Sequence, residues 1–363
     1  MSHTGLLDKH RLNRQFGNRF YERLAQVPKL RMRQAIVAAL EDEMRSDDRV
    51  VLLGEDVGAA GGVFKTSEGL LDKFGTQRVK DTPIAEMGFV GAAVGVATAG
   101  FRPVVEIMFA EFLGVAMDQI VTEAAKLRYL SRGEFTVPLV VRASSGPGSG
   151  FGAQHSQTLE TWFSSTPGLK VVVASGSDSA YGLLRAAIRD DDPVIFFEPR
   201  ALYGEREEVQ RDPSSLPQLG KVRLVRSGSE VTIVALGQTV PLAVSAIEGS
   251  DIDAEILDLA TLVPWDIESV LASVRRTGHL VTVEANAYTG GWGAMITAEI
   301  STLAFGELKA PAFRITCPDV PVPYAGNLES QYVPSADYVR DQISAVVSAD
   351  RQPEHWWQEV ARG

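Results

Sequence analysis

Nine short runs of aliphatic and β-branched residues, at positions 50–53, 104–109, 138–143, 170–174, 193–198, 231–236, 253–258, 279–284 and 313–316, alternate with longer stretches of helical periodicity. A repeated strand and helix can bury their apolar surfaces together as a parallel sheet covered by helices. Several runs are apolar on both faces, which such a sheet requires. The alternation begins at Leu30 and breaks once, over residues 205–220, a polar stretch with two prolines and no sustained period. The pattern predicts an α/β protein with two parallel-sheet domains, residues 29–205 and 221–363, joined by a linker over 206–220 and preceded by an extension over 1–28. No sequence repeat relates the two halves.

Composition narrows the function classes. With 45% hydrophobic and 22% charged residues, the chain of 363 can bury a core and is not disordered. A net charge of −11 with modest aromatic content disfavours nucleic acid and anionic membranes as partners. The single cysteine, Cys317, cannot form an internal disulfide, and no Cys/His set has zinc-ligand spacing. No run approaches the ~20 apolar residues of a membrane span, and the N-terminus lacks the apolar core of a secretory signal, so a cytoplasmic location is expected. Residues 1–28 differ from the rest: Lys9, Arg11, Arg14, Arg19 and Arg23 face only Asp8 and Glu22. That segment is too acidic and too poor in serine for a mitochondrial presequence. It reads as an appendage that packs on a partner or is partly disordered.

Three places carry unusual chemistry. In Asp81-Thr82-Pro83-Ile84-Ala85-Glu86-Met87-Gly88-Phe89, Thr82 suits a helix cap, Pro83 the first helical position and Glu86 the first turn. An acid there gains from the helix dipole, which alone would explain it. Ile84, Ala85, Met87, Phe89 and Val90 also give Glu86 an apolar setting that should raise its pKa and let a protonated carboxyl donate to a ring nitrogen. Small residues follow at 91, 95 and 99 on one helical face, suited equally to a tight internal contact and to a subunit interface. The second place is the loop from Ser144 to Gln157, rich in glycine, which would deliver His155 to a substrate as a proton shuttle or oxyanion partner, or leave it solvated. Its glycines match no phosphate-binding fingerprint. The third is Phe109-Ala110-Glu111-Phe112, where an aromatic ring either stacks on a planar cofactor or packs in the core, the latter being favoured by residue type alone. Glu55, in Leu52-Leu53-Gly54-Glu55-Asp56, sets an acid at another strand exit, a position more often a turn than a site.

The segments Leu53-Gly54-Glu55-Asp56-Val57, Asp81-Thr82-Pro83-Ile84-Ala85-Glu86, Gly100-Phe101-Arg102-Pro103-Val104-Val105-Glu106, Gln154-His155-Ser156-Gln157, Pro167-Gly168-Leu169-Lys170-Val171-Val172, Ala187-Ile188-Arg189-Asp190 and Val263-Pro264-Trp265-Asp266 occur in this order. In them the chain resembles the beta subunit of the thiamine-diphosphate-dependent first component of 2-oxoacid dehydrogenase complexes, of pyruvate, branched-chain or acetoin type. The resemblance implies a transketolase-like pyrimidine-binding domain followed by a transketolase C-terminal-like domain. It implies that Glu86 hydrogen-bonds the aminopyrimidine ring, that Glu55, Ile84, Ala85, Met108 and Phe112 lie beside the cofactor, and that Phe109, Ala110, Glu111, Phe112 and His155 face the substrate. Leu139, Ala187, Ile188, Asp190 and Asp192 fall where some members hold a structural potassium ion. The implied partners are an alpha subunit, which carries the diphosphate and magnesium sites, a second beta subunit and a lipoyl-bearing acyltransferase core. Decarboxylation of a 2-oxoacid and transfer of the acyl group to the lipoyl arm would follow. Rival readings are cleavage of acetoin, a stand-alone transketolase-like carbon transferase, which would need both halves of the cofactor site in one chain, and a noncatalytic scaffold.

Overall fold

The computed structural model describes residues 27–212, 216–348 and 353–357, so the expected N-terminal extension lies almost wholly outside the described residues. Two sheets dominate. The first has seven strands in the spatial order β12 (Thr261–Val263), β6 (Lys170–Val173), β7 (Val194–Pro199), β5 (Val140–Ser145), β4 (Arg102–Ile107), β2 (Val50–Gly54) and β3 (Val79–Asp81). The second has five, in the order β14 (Phe313–Cys317), β13 (Leu280–Ala287), β10 (Val231–Ala235), β11 (Ala254–Asp258) and β9 (Arg223–Arg226). A small ladder joins β1 (Lys29–Arg31) to β8 (Arg206–Glu208), so the segment expected to be a plain linker begins with a strand.

All nine expected strands form, but the sheets are mixed. Each is parallel except for one antiparallel edge, β12 on β6 in the first and β9 on β11 in the second. The edge β12 comes from the second half of the chain. There the expected strand exit at residues 259–266 crosses to the first sheet before Asp266 caps the next helix by accepting from Ser269 N.

Helices cover the sheets: α1 (Met32–Ser46), α2 (Leu70–Phe74), α3 (Glu86–Thr98), α4 (Ala125–Leu130), α5 (Glu160–Ser164) and α6 (Ser177–Arg189) in the first half, then α7 (Thr239–Ile247), α8 (Ile267–Thr277), α9 (Gly293–Leu303), α10 (Gly326–Tyr332) and α11 (Ala336–Ser348). Alternation along the strands decides which helix meets which side chain. Val104, Val140, Val194 and Phe196 face α1 and α6. Val105, Val141, Ile195 and Phe197 face α3 and a layer from the second half that includes Val234, Leu236, Leu257 and Leu259. One apolar core therefore runs through both halves. Buried Glu43 on α1 accepts from Arg185 and Arg189 on α6, both at 2.8 Å, clamping those helices together. Among the described residues no helix is long and apolar enough to cross a membrane.

In the first sheet a charged cluster departs from the apolar pattern. Glu106, Arg142 and Glu198 sit on the adjacent strands β4, β5 and β7, all buried. Arg142 donates to Glu198 at 2.7 and 3.1 Å and to Glu106 at 3.0 Å. Thr66 and Tyr203 hydroxyls donate to Glu106 and Glu198. Burial opposes the Arg142 charge, but Glu198 and Glu106 outweigh it and raise its pKa, while burial pushes the Glu106 carboxyl up. Arg142→Met would leave two buried carboxylates without their cation and is expected to cost about 3–5 kcal/mol in urea unfolding. A loss below about 1 kcal/mol would mean that the triad does not hold the sheet.

Candidate active site

In a parallel sheet, ligand-binding residues gather where strands end at their carboxyl sides. Here the exits of β3, β2, β4, β5 and β7 lie at one edge of the first sheet. The first two are tied together: Thr82 N donates to the Gly54 carbonyl at 3.0 Å, and Gly58 N to Asp81 Oδ1 at 2.6 Å. A Cβ on Gly58 would lie 2.6 Å from that carboxylate, so glycine is needed for the approach. Glu55 leaves β2 buried, with Oε1 making no hydrogen bond within the chain. Burial first, then the negative charges of Glu86 and Asp56, push its pKa up. Glu55 and Glu86 therefore face one another's fields at adjacent strand exits.

Glu86 opens α3 and is buried, but the helix start differs from expectation. Ala85 is the N-cap and no side chain caps the helix. Thr82 and Pro83 remain in the loop because the Thr82 N–H is held by β2, and the Thr82 hydroxyl is buried without a partner. The expected apolar setting is also one-sided. Phe89 and Val90 are buried beneath Glu86, whereas Ile84 is 84% and Met87 56% exposed, with Ala85 exposed between them. Gly95 and the C-cap Ala99 are exposed, while Gly91 is half-buried and packs tightly on Gln119, so the small-residue face makes an internal contact at one end only.

Beyond β4 the chain turns at Ala110–Gly114 and presents aromatics. Phe109 stacks on His155 with ring centroids 4.5 Å apart, and Phe112 meets the same imidazole edge-on at 5.4 Å. Phe109 and Ala110 are buried as the core reading expects, while Phe112 is half-buried, packed against the core and open on its other side. Met108 is half-buried, and its carbonyl accepts from Ser144. Glu111 accepts from Gln157 N at 2.7 Å through one oxygen and leaves the other buried and unpaired. Burial raises its pKa, against the opposing pull of the Gln157 N–H, Arg200 and His155. His155 Nδ1 is likewise buried and unpaired.

The loop that carries His155 is docked rather than free. Arg200, at the exit of β7, donates to the carbonyls of Gly146 and His155 and lies over the rings of Phe64, Phe109 and Phe151. Its burial lowers its pKa. Gly148 and Gly150 donate to Glu329 on α10. Arg200, Phe64 and Glu329 escaped the sequence reading. The position of Arg200 directly after a buried strand was the one usable signal.

The five proposed potassium ligands do come together, but at the opposite, amino ends of β5 and β7. Their oxygens are engaged. Leu139 O accepts from Val194 N and Ala187 O from Asp190 N. Arg102 donates to the carbonyls of Ile188 and Asp190 at 3.1 and 2.9 Å. Lys170 binds the Asp190 carboxylate at 2.6 Å, and Arg128 and Lys170 bind Asp192 and hold its pKa down despite burial. A potassium ion here would have to share the Ile188 and Asp190 carbonyls with Arg102 and sit beside that cation. A cavity of about 870 Å³ between Arg128, Tyr129, Lys170, Asp192 and Pro264 also opens at this end, away from the acids and His155.

Family models match twice: the transketolase pyrimidine binding domain over residues 28–206 and the transketolase C-terminal domain over 220–339. Pyruvate dehydrogenase E1 component subunit beta-2, mitochondrial, of Oryza sativa is 45% identical over 320 residues, covering 86% of this chain and 85% of that protein. The corresponding beta subunit of Caenorhabditis elegans is 42% identical, covering 90% and 96%. That of Rhizobium meliloti is 43% identical, covering 87% of this chain and 69% of its own length. The chain belongs to the pyruvate dehydrogenase E1 beta-subunit family. A split-gene transketolase, described as an inactive beta4 tetramer, shares the fold with a TM-score of 0.70 at 23% identity, covering 89% of this chain and 99% of its own.

Family membership brings thiamine diphosphate into question at the strand exits, and the residues fit its pyrimidine end. An aminopyrimidine is flat and presents both donors and acceptors. Glu86, the unpaired Glu55 Oε1 and Thr82 Oγ1, and the half-buried Phe112 ring offer matching groups. Among the described residues no group of three or more His, Cys, Asp or Glu could hold a metal ion. Exchanging potassium for sodium in the buffer is expected to move the melting temperature by less than about 1 °C, because backbone N–H groups and Arg102 already meet these carbonyls and Lys170 and Arg128 the carboxylates. A shift of several degrees, read by calorimetry, would restore the ion.

Proposed function

We propose that this chain is the beta half of a thiamine-diphosphate-dependent pyruvate dehydrogenase first component, acting in the cytoplasm. With an alpha subunit and a second beta chain it decarboxylates pyruvate and passes the acetyl group to a lipoyl arm on an acyltransferase core. The observation that carries this reading is the convergence of Glu55, Glu86, Phe112 and His155 on the strand exits of a chain 45% identical to such a subunit.

Thiamine diphosphate supplies, when bound, the carbon nucleophile that attacks the ketone of a 2-oxoacid so that carbon dioxide can leave. The chain's own groups do the rest of the work on this side. Glu86, buried at the first turn of α3, presents its carboxyl group to the pyrimidine ring. Burial, then the charge of Glu86, favours the protonated form of Glu55 beside it. Phe112 gives the ring a flat wall, and His155, fixed between Phe109 and Phe112, orients the substrate and the lipoyl group. As the acyl–sulfur bond forms, the lipoyl disulfide is reduced to a thiol and the two-carbon unit is oxidised to the acid level.

The exposed Ile84 and Met87 support an alpha subunit closing over Glu86, since an apolar rim around a buried acid is otherwise left in water. Magnesium and the diphosphate are assigned to that partner. The direct test is co-expression with the alpha-type chain and assay on pyruvate, 3-methyl-2-oxobutanoate and acetoin. Activity on pyruvate that needs both chains is expected. Preference for the branched acid or acetoin would reassign the substrate, and silence on all three from a stable complex would sink the enzymatic reading. In the active complex Glu86→Gln should lower kcat by about 10²-fold or more, the scale of a lost proton-transfer group. Full activity of that variant would return the chain to a scaffold.

A further inference from the structure

The loop between β5 and α5 is held from across the molecule. Gly146, Gly148, Gly150 and Gly152 all have positive φ, at 87, 98, 74 and 68°. That alternation is open to glycine alone and prevents the segment from pairing as a strand. Its backbone N–H groups need partners from elsewhere. Glu329, a buried carboxylate on α10, provides them: Oε1 accepts from Gly148 N at 2.8 Å and Oε2 from Gly150 N at 2.9 Å. Two further side chains of the second half press on the same loop. A Cβ on Gly146 would come within 2.8 Å of Gln238 Oε1, and one on Gly152 within 3.1 Å of the Tyr324 ring.

His155 lies five residues past this contact. On its far side Arg200 binds its carbonyl and Glu111 holds Gln157 N. The imidazole is thus set between two anchors, one in the first half of the chain and one, Glu329, reaching over from the second. A carboxylate accepting backbone N–H groups makes a charge-assisted and directional bond at each oxygen. Removing it would leave the N–H groups of exposed Gly148 and half-buried Gly150 without their acceptor, and the loop can then lift to turn them to water.

We infer that Glu329 is a positioning residue, a latch through which the C-terminal half holds the glycine loop closed and so sets His155 against Phe109. The inference rests on the proposed reaction for its catalytic readout, but its structural readout does not. The experiment uses the full alpha–beta complex with Glu329→Ala and Glu329→Gln. Glutamine retains the shape and one good acceptor, so a graded order of wild type, Gln, Ala is expected. For Glu329→Ala, kcat/KM for pyruvate in the lipoyl-linked assay should fall about 10–100-fold, the cost of a misplaced group near 1 Å. In a His155→Ala background the same change should cost less than about twofold, because its effect passes through His155. A full, additive loss in that background would overturn the latch.

Hydrogen exchange of the same complexes separates this inference from the function. Glu329→Ala should speed exchange over residues 146–157 by about tenfold or more while β5 stays protected. Unchanged exchange there overturns the latch even if activity falls. Faster exchange in a complex that is silent on every 2-oxoacid keeps the latch and overturns the proposed reaction instead.

Discussion

A buried guanidinium between two carboxylates governs the geometry of this molecule. Arg142 joins Glu106 and Glu198 across three neighbouring strands in the middle of the seven-stranded sheet. In a sheet otherwise lined by valine, isoleucine and phenylalanine, a slip of one residue on any of these strands would drive a charge onto the opposite face, among Val105, Val141 and Phe197. Such a slip would strand an unpaired ion in apolar surroundings. The triad contributes less to net stability than to register, the use of buried ion pairs that best matches its position here. Register matters because the three strands end in the parts that converge on His155: the Phe109–Phe112 turn after β4, the glycine loop after β5 and Arg200 after β7.

The cluster at those exits is built from groups left partly unsatisfied. Glu55, Thr82, Glu111 and His155 each keep a buried polar atom without a partner. Folded interiors rarely tolerate this, and a run of such atoms along one sheet edge is what a site waiting for a polar ring and a small acid looks like. The corner at the amino ends of the same strands is the contrast. There backbone N–H groups, Arg102, Lys170 and Arg128 already meet the carbonyl and carboxylate oxygens, and the result is a structural joint.

Much of the fold could be read from residue pattern, because long parallel strands buried on two faces are written as unbroken apolar runs. The strands that escaped, β1, β3, β8, β9 and β12, are three or four residues long and lie at edges, where one ladder of hydrogen bonds suffices and no periodicity can accumulate. The placement of Glu86, His155 and Phe112 at strand exits was legible, because strand-ending runs can be read from the sequence. Glu329 was not. Its partners are 181 and 179 residues away, and an isolated glutamate on a short helix resembles a solvated one until the chain is folded. Thr82 and Pro83 misled for a local reason: both residue types suit a helix start, but a backbone bond to β2 claimed the segment first.

The strand β12 gives the chain a schedule. Six strands of the first sheet are complete by Pro199, yet β6 stays an open edge until Thr261–Val263 arrives, nearly ninety residues after β6 ends. At the pace of synthesis, roughly 5–20 residues per second, that edge is bare on the ribosome for on the order of ten seconds. An unpaired, apolar edge strand invites pairing with another nascent chain. Lys170 at its start, held by Asp190 and Asp192 from the moment those residues emerge, places charge at the exposed end and acts as a gatekeeper until the last strand closes the sheet.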